Sequence, residues 1–376
     1  SRRRGEAVKN FKSFVTEGAF PVNQGHAYEF VLAAAMVARF TDRFDNGEPM
    51  PLTAQAVEDV MKQYFGLNRM WEVDEGDDEV DVVEFDGAGL PPEVLSALND
   101  SKLRSGPVVQ KMIKDAIAAV NKNRSLTALS NDVITNGKRD EVEIRCGGTT
   151  GQMATKSDVD VFVNDRVQRK VGFSVKYAGT KQAGQFAGVD ASKNLIDAFA
   201  SFGMDIKSFS GLRKVRDASA GLSAPYNSRN DPKIAGDKTL MFGAVQSLFT
   251  DVIRKFDKRY VANAANAKKI LGGLLKANKG KEEDIELIRT AVSFDKKTFD
   301  KISELVVDAA NSGNVEWRQM GGSNPKIGFF ANGTELFSLR FRYDSDPINR
   351  QKTAYRPRFR FYVENGKYLD DLAASV

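Results

Sequence analysis

One cysteine, Cys146, and one histidine, His26, are all that this chain of 376 residues holds of either type, and the scarcity excludes whole classes of chemistry. A structural zinc site takes about four Cys or His ligands, more than are available. Disulfide scaffolds fall away, as does Cys–His catalysis with a second histidine as orienter. A Ser-His-Asp triad would have to use His26 itself. An apolar run of about 18 residues is missing, and so is a signal-like N-terminus, so neither a membrane span nor secretory export is expected. No Gly-x-x-x-x-Gly-Lys-Ser/Thr loop occurs, which argues against ATP-driven action. A single cysteine suits a reducing, cytoplasmic setting.

What is present is charge, unevenly spread. The chain has 55 Lys and Arg against 50 Asp and Glu, a net of +5. Nine of those acids lie between Glu72 and Asp86, a stretch without a base, and the rest of the chain holds 55 bases against 41 acids, a net of +14. Such an excess suits a polyanion partner, whose counterions are released as Lys and Arg neutralise phosphates. Solubility alone is the plainer use of the same charge.

The hydrophobic pattern divides the chain into regions. Residues 1–130 read as a helical region, with helices from His26 to Phe40, from Thr53 (as N-cap) to Tyr64 and from Pro107 to Asn121. The acidic stretch and the Gly-Pro cluster after it, Gly87 to Pro92, read as an inserted loop or exposed arm. In residues 131–237 the period changes from about 3.6 to 2. Three strands are expected there, Glu141 to Cys146, Asp158 to Val163 and Val171 to Tyr177, followed by a helix from Ala191 to Phe202 and a long loop over 203–237. Residues 238–376 read as helices over Leu240 to Lys276, Glu282 to Val292 and Lys297 to Asn311, then strands around an Asn332-Gly333 hairpin turn.

Side chains alternate along a strand, so the three central strands have two faces. One gathers Val142, Ile144, Cys146, Val159, Val161, Val163, Val171, Phe173 and Val175, a core. The other gathers Glu141, Glu143, Arg145, Asp158, Asp160, Phe162, Ser174 and Lys176. If the strands are neighbours, two aspartates, a serine and a lysine share one side of a sheet. Carboxylates there suit Mg²⁺, which polarises a phosphate, and a lysine beside it suits orienting water and stabilising charge. The alternative is an ordinary half-exposed face on which Asp and Lys pair across strands. Two aspartates in a strand otherwise made of valine are costly placements that function would explain.

The run Lys156-Ser157-Asp158-Val159-Asp160-Val161, then Gly172-Phe173-Ser174-Val175-Lys176, resembles the active-site hairpin of the PD-(D/E)xK, or restriction-endonuclease-like, nuclease superfamily. The resemblance covers about 60 residues and implies a mixed α+β fold. Its core would be a central mixed sheet flanked by helices, with additional helical and C-terminal β regions around it. It implies a Mg²⁺-dependent DNA endonuclease, with Mn²⁺ as a substitute, in a bacterial or phage context. Carried onto this sequence, Asp158 and Asp160 would hold the metal, with the Val175 carbonyl as an added ligand and the helical Glu29 in support. Lys176 would position the water and Ser174 would orient it. The departure from the family pattern is Ser174, which stands where its second acid is found, so a carboxylate from elsewhere, Asp160 or Glu29, would have to serve. Failing that, the chain would be a nucleic-acid-binding protein with an inactive nuclease core.

Two further segments suit nucleic acid. The loop after the third strand carries Lys181, Gln182 and Gln185. Near the C-terminus Arg340 and Arg342 alternate with Phe337, Leu339, Phe341 and Tyr343. Arg356, Arg358 and Arg360 alternate with Phe359 and Phe361. Five arginines with no interleaved acid favour a phosphate- or guanine-binding ribbon over a solvated face. The partner expected is DNA, with RNA not distinguished, and a two-fold symmetric target would favour a homodimer.

Overall fold

A computed structural model describes residues 20–41, 44–45, 48–49, 51–74, 80–135, 141–147, 157–164, 169–177, 182–279, 285–349 and 351–375. The fold is mixed α+β, and it forms two compact units. The first comprises residues 1–154 and 158–171, the second residues 155–157 and 172–376. The division does not fall at residues 130 and 237, where the hydrophobic pattern changes.

In the first unit the helices longer than one turn are α1 (Gln24–Thr41), α2 (Ala54–Phe65), α3 (Pro92–Asn99), α4 (Pro107–Lys122) and α5 (Arg124–Thr135). Helix α1 is apolar almost all round, and every residue from Ala27 to Phe40 is buried, as a helix without a polar face must be. It packs on α2 and α4 and against the sheet. Thr53 caps α2 as expected, its hydroxyl accepting from the Ala56 amide at 3.2 Å. Strands β1 (Met70–Asp74), β2 (Val80–Asp86), β3 (Glu141–Cys146) and β4 (Val159–Asn164) form the sheet of this unit. β1 and β2 are antiparallel, β2 and β3 parallel, and β3 and β4 antiparallel. The acidic stretch is therefore not an exposed arm in its described part, because Val83 and Phe85 give β2 a core face while Glu84 and Asp86 project from the other.

Strand β5 (Arg169–Lys176) carries the chain from the first unit, through Val171, into the second, from Gly172. In the second unit it pairs in parallel with β7 (Ile285–Arg289), which is antiparallel to β8 (Val292–Phe294). The helix expected over Glu282 to Val292 is thus, in its described part from Ile285, a β-hairpin. Leu287 and Ile288 are both buried, and apolar side chains on both faces hide the period of a strand. Thr290 makes the tight turn with φ 52°.

The rest of the second unit contains β6 (Gln182–Gly188), α6 (Ala191–Ser201), α7 (Ser210–Ala220), α8 (Lys233–Lys255), α9 (Ala264–Lys279), α10 (Lys296–Asn311), β9 (Val315–Met320), β10 (Lys326–Ala331), β11 (Thr334–Pro347), β12 (Tyr355–Asn365) and α11 (Lys367–Ser375). An antiparallel sheet runs in the order β9-β10-β11-β12-β6. Asn332 and Gly333 close the β10–β11 hairpin with φ 50° and 77°, both left-handed as a two-residue type I′ turn requires. One face of this sheet buries Phe329, Phe337, Phe341, Phe359 and Phe361 in the core with Phe199 and Phe249 of the helices.

The loop expected over 203–237 contains helix α7, and the remainder is tied down. Tyr226 and Tyr355 exchange backbone hydrogen bonds of 2.9 and 2.8 Å. The buried Tyr226 hydroxyl donates to Asp237 at 2.7 Å and also meets the Tyr343 hydroxyl. Burial, with the charge of Asp237, pushes the Tyr343 phenol up to about 12 against the lowering effect of the Tyr226 hydrogen bond, and burial with both hydrogen bonds pushes Tyr226 higher still. Likewise the loop expected after β5 is, from Gln182, the edge strand β6 paired with β12.

Candidate active site

The carboxylates of the first unit are held by elements that the hydrophobic pattern alone fixes. Helix α1 is driven inside by its alanines, valines and phenylalanines, and it carries Glu29 with it, only 6% exposed. Valines at 159, 161 and 163 fix β4 in the core, and their alternation turns Asp160 to the other face, yet leaves it 4% exposed. Asp158, just ahead of β4, is also buried, and its carbonyl accepts from the Gly147 amide at 2.9 Å. The rest of that face is half exposed, with Glu141 and Arg145 open to solvent, so the two aspartates are its buried part. Burying an ionised carboxylate costs several kcal/mol unless charge or hydrogen bonds compensate it.

Cys146 lies on the core side of β3, next to helix α1. It is fully buried at the end of β3, and its Sγ lies 3.8 Å from the Glu29 carbonyl. Burial pushes its pKa well up, and the negative charges of Glu29, Asp86 and Asp160 push it further. Asp86 and Asp160 flank Arg145 from β2 and β4, on the face of β3 opposite the thiol. Asp86 was not among the residues singled out in the sequence. Its signal was the alternation of Val83 and Phe85 with acids, which the charge of the whole segment masked.

Arg145 is the cation of this group. Its partners across the sheet are Asp86 on β2 and Asp160 on β4. The guanidinium donates to Glu143 at 2.9 and 2.6 Å, lies 3.9 Å from Asp86, and sits 5.1 Å from the Phe162 ring centre. The Glu143 hydrogen bond is the main cause raising its pKa, with Asp86 and Asp160 adding to it. Among the described residues no group of three or more His, Cys, Asp or Glu side chains is disposed to hold a metal ion.

In the second unit, β5 holds Ser174 and Lys176 two residues apart on one face, while Phe173 and Val175 are buried on the other. The Lys176 ammonium donates to the Ser174 hydroxyl at 3.1 Å and to the Val175 carbonyl at 3.0 Å. The Val175 carbonyl is thus engaged by lysine.

The arginine ribbon differs from its expectation. Strand β11 runs on to Pro347 and brings Asp344 and Asp346 onto the arginine face. Asp344 accepts from Arg342 and from Arg360, each at 2.8 Å, and Asp346 lies 3.7 Å from Arg358 and 3.8 Å from Arg360. Arg340 pairs with Glu364 at 2.6 Å and lies over the Tyr362 ring. Acids are interleaved after all, further along β11 itself and at Glu364 on β12, so the face is largely neutralised; Arg356, opposite Asp346, is exposed. Gln185 is exposed on β6 opposite Tyr362, Gln182 pairs with Glu364 by backbone, and Lys181 lies outside the described residues.

No family model, curated protein or solved structure matches the chain. Among the described residues, no helix is long and apolar enough to cross a membrane.

Proposed function

We propose that the protein is a Mg²⁺-dependent deoxyribonuclease, endonucleolytic in action, that hydrolyses phosphodiester bonds. The observation that carries this reading is the burial of three carboxylates, Glu29 on α1 and Asp158 and Asp160 at β4, with Asp160 directly across the sheet from Arg145. Carboxylates buried on two separate elements have no value to a core and considerable value to a cation. Oxygen donors of this kind suit Mg²⁺, which needs only one or two carboxylates and keeps several waters. Asp158 and Asp160 would hold the ion, which would supply polarisation of the phosphate and a more acidic water.

The chain's own residues do the remainder. Lys176 holds a water through its ammonium and offsets the negative charge that develops as the phosphorus is attacked. Ser174, already hydrogen-bonded to Lys176, fixes the direction of that ammonium. The test is supercoiled plasmid incubated with Mg²⁺, Mn²⁺ or EDTA, alongside Lys176→Ala and Asp160→Asn. Metal-dependent nicking that both substitutions abolish supports the reading, and intact plasmid under all conditions rejects it.

Arg145 favours a second reading. A guanidinium among Glu143, Asp86 and Asp160 does part of what a metal ion would do, and a core neutralised in this way would bind nucleic acid without cutting it. Isothermal titration with Mg²⁺ separates the two: no heat of binding in the wild type, and binding gained in Arg145→Met, would favour the inactive core.

A further inference from the structure

Beside Lys176 in the second unit stands a cation that this reading leaves unused. Strands β5 and β7 run parallel with Lys176 opposite Arg289, and the Thr290 amide donates to the Lys176 carbonyl at 2.9 Å. The register is therefore fixed at this end of the strands. Residues opposite each other on neighbouring strands share a face, with backbones about 4.8 Å apart.

Arg289 is held but not satisfied. Its side chain is 14% exposed, and its Nε lies 3.5 Å from Asp370 Oδ2 on α11, beyond the roughly 2.7–2.9 Å of a charge-assisted hydrogen bond. Its Nη1 is buried and has no hydrogen-bond partner among the described residues. Burial draws the Arg289 pKa down against the pull of Asp370, and burial draws the Asp370 pKa up against the pull of Arg289. A guanidinium inside a protein usually fills its fork of donors, since each unmet one carries a desolvation cost.

We propose that Arg289 is a second phosphate-binding residue of the Lys176 site, its guanidinium taking a non-bridging oxygen of the nucleic-acid backbone beside the lysine. The inference rests on the nuclease reading of Lys176. The two cations differ in kind: lysine is a point charge suited to water and a developing oxyanion, while arginine offers a planar fork that matches two phosphate oxygens. Asp370 is then a positioning residue, near enough to aim the guanidinium and too far to occupy it. A cation fixed in this way needs little reorganisation when the phosphate arrives.

The test uses the full chain as wild type, Arg289→Met, Arg289→Lys and Asp370→Asn. Two quantities are read: kcat and KM for Mg²⁺-dependent plasmid cleavage, and protection against thermal unfolding by inorganic phosphate. The expected result for Arg289→Met is a loss in kcat/KM of about 10- to 100-fold together with loss of the phosphate protection, and Arg289→Lys recovers part of both. If Arg289 is only a brace for α11, Arg289→Met and Asp370→Asn lower the melting temperature alike, while their folded fractions cleave DNA and bind phosphate as the wild type does. That result overturns the proposal. Should the wild type itself fail to cleave, the nuclease reading falls and the phosphate titration decides by itself. Protection present in the wild type and absent in Arg289→Met then keeps Arg289 as an anion site, and an equal response in both removes it.

Discussion

Lys176 makes two hydrogen bonds to its own strand, one to the Ser174 hydroxyl at 3.1 Å and one to the Val175 carbonyl at 3.0 Å. Both help to hold its direction. Lys176→Ala is expected to lower plasmid cleavage by about 10²- to 10⁴-fold, the usual worth of a positioned acid–base group. Fluorescence anisotropy on a labelled duplex should show DNA affinity changed by no more than a few-fold. Cys146 is the opposite case, a reactive group made inert. Its folded pKa lies well above that of the unfolded thiol, about 8.5, so the folded state keeps a proton that the unfolded state releases. Stability from this group is complete below that value and falls as pH rises towards the folded pKa. Urea midpoints should therefore decrease from pH 7.5 to 9.5 in the wild type and decrease less in Cys146→Ser. Asp158, Asp160, Ser174 and Lys176 were legible in the sequence because alternation with valine and phenylalanine assigns each a face. Arg289 was not, because the apolar residues around it lie on both faces of its strand and mimic a helix.

Elements show where local signals sufficed. Helix α1, the three central strands and the Asn332-Gly333 turn were readable from period and turn chemistry, since each is fixed by its own residues. Strand β6 was not readable, because a run of glycine, glutamine and alanine becomes a strand only through the partner β12 offers it. Nor was the pairing of the arginines, which depends on how far β11 extends. Asp344→Asn releases Arg342 and Arg360 from their shared acid. DNA affinity at low salt should rise in that variant and its salt dependence should steepen by about one to two charges, as measured by anisotropy between low and moderate salt. At the crossing of α7 and α8 the limit is steric. A Cβ on Gly211 would stand 2.3 Å from the Leu248 Cα, so Gly211→Ala should destabilise by about 1–3 kcal/mol in denaturant titration.

At the scale of the whole molecule, charge follows the two units more closely than it follows any element. The first holds 21 Lys and Arg against 27 Asp and Glu, a net of −6, and the second 34 against 23, a net of +11. The modest total conceals a basic unit and an acidic one, so the proposed attraction to a polyanion would belong to the second. The chain also has one tryptophan in each unit, Trp71 on β1 and the buried Trp317 on β9. Single-tryptophan variants, Trp71→Phe and Trp317→Phe, should unfold along different denaturant curves, as units with separate cores do; coincident curves would show one cooperative block. The pairing of β6 with β12 has a consequence in time. A span of 166 residues separates Gly188 from Tyr355, and closing so long a loop is entropically expensive and slow. The strand that follows Lys176 must therefore wait for nearly the whole unit to be synthesised before it can pair, so a half-made chain on the ribosome carries the lysine without the ordered edge that follows it.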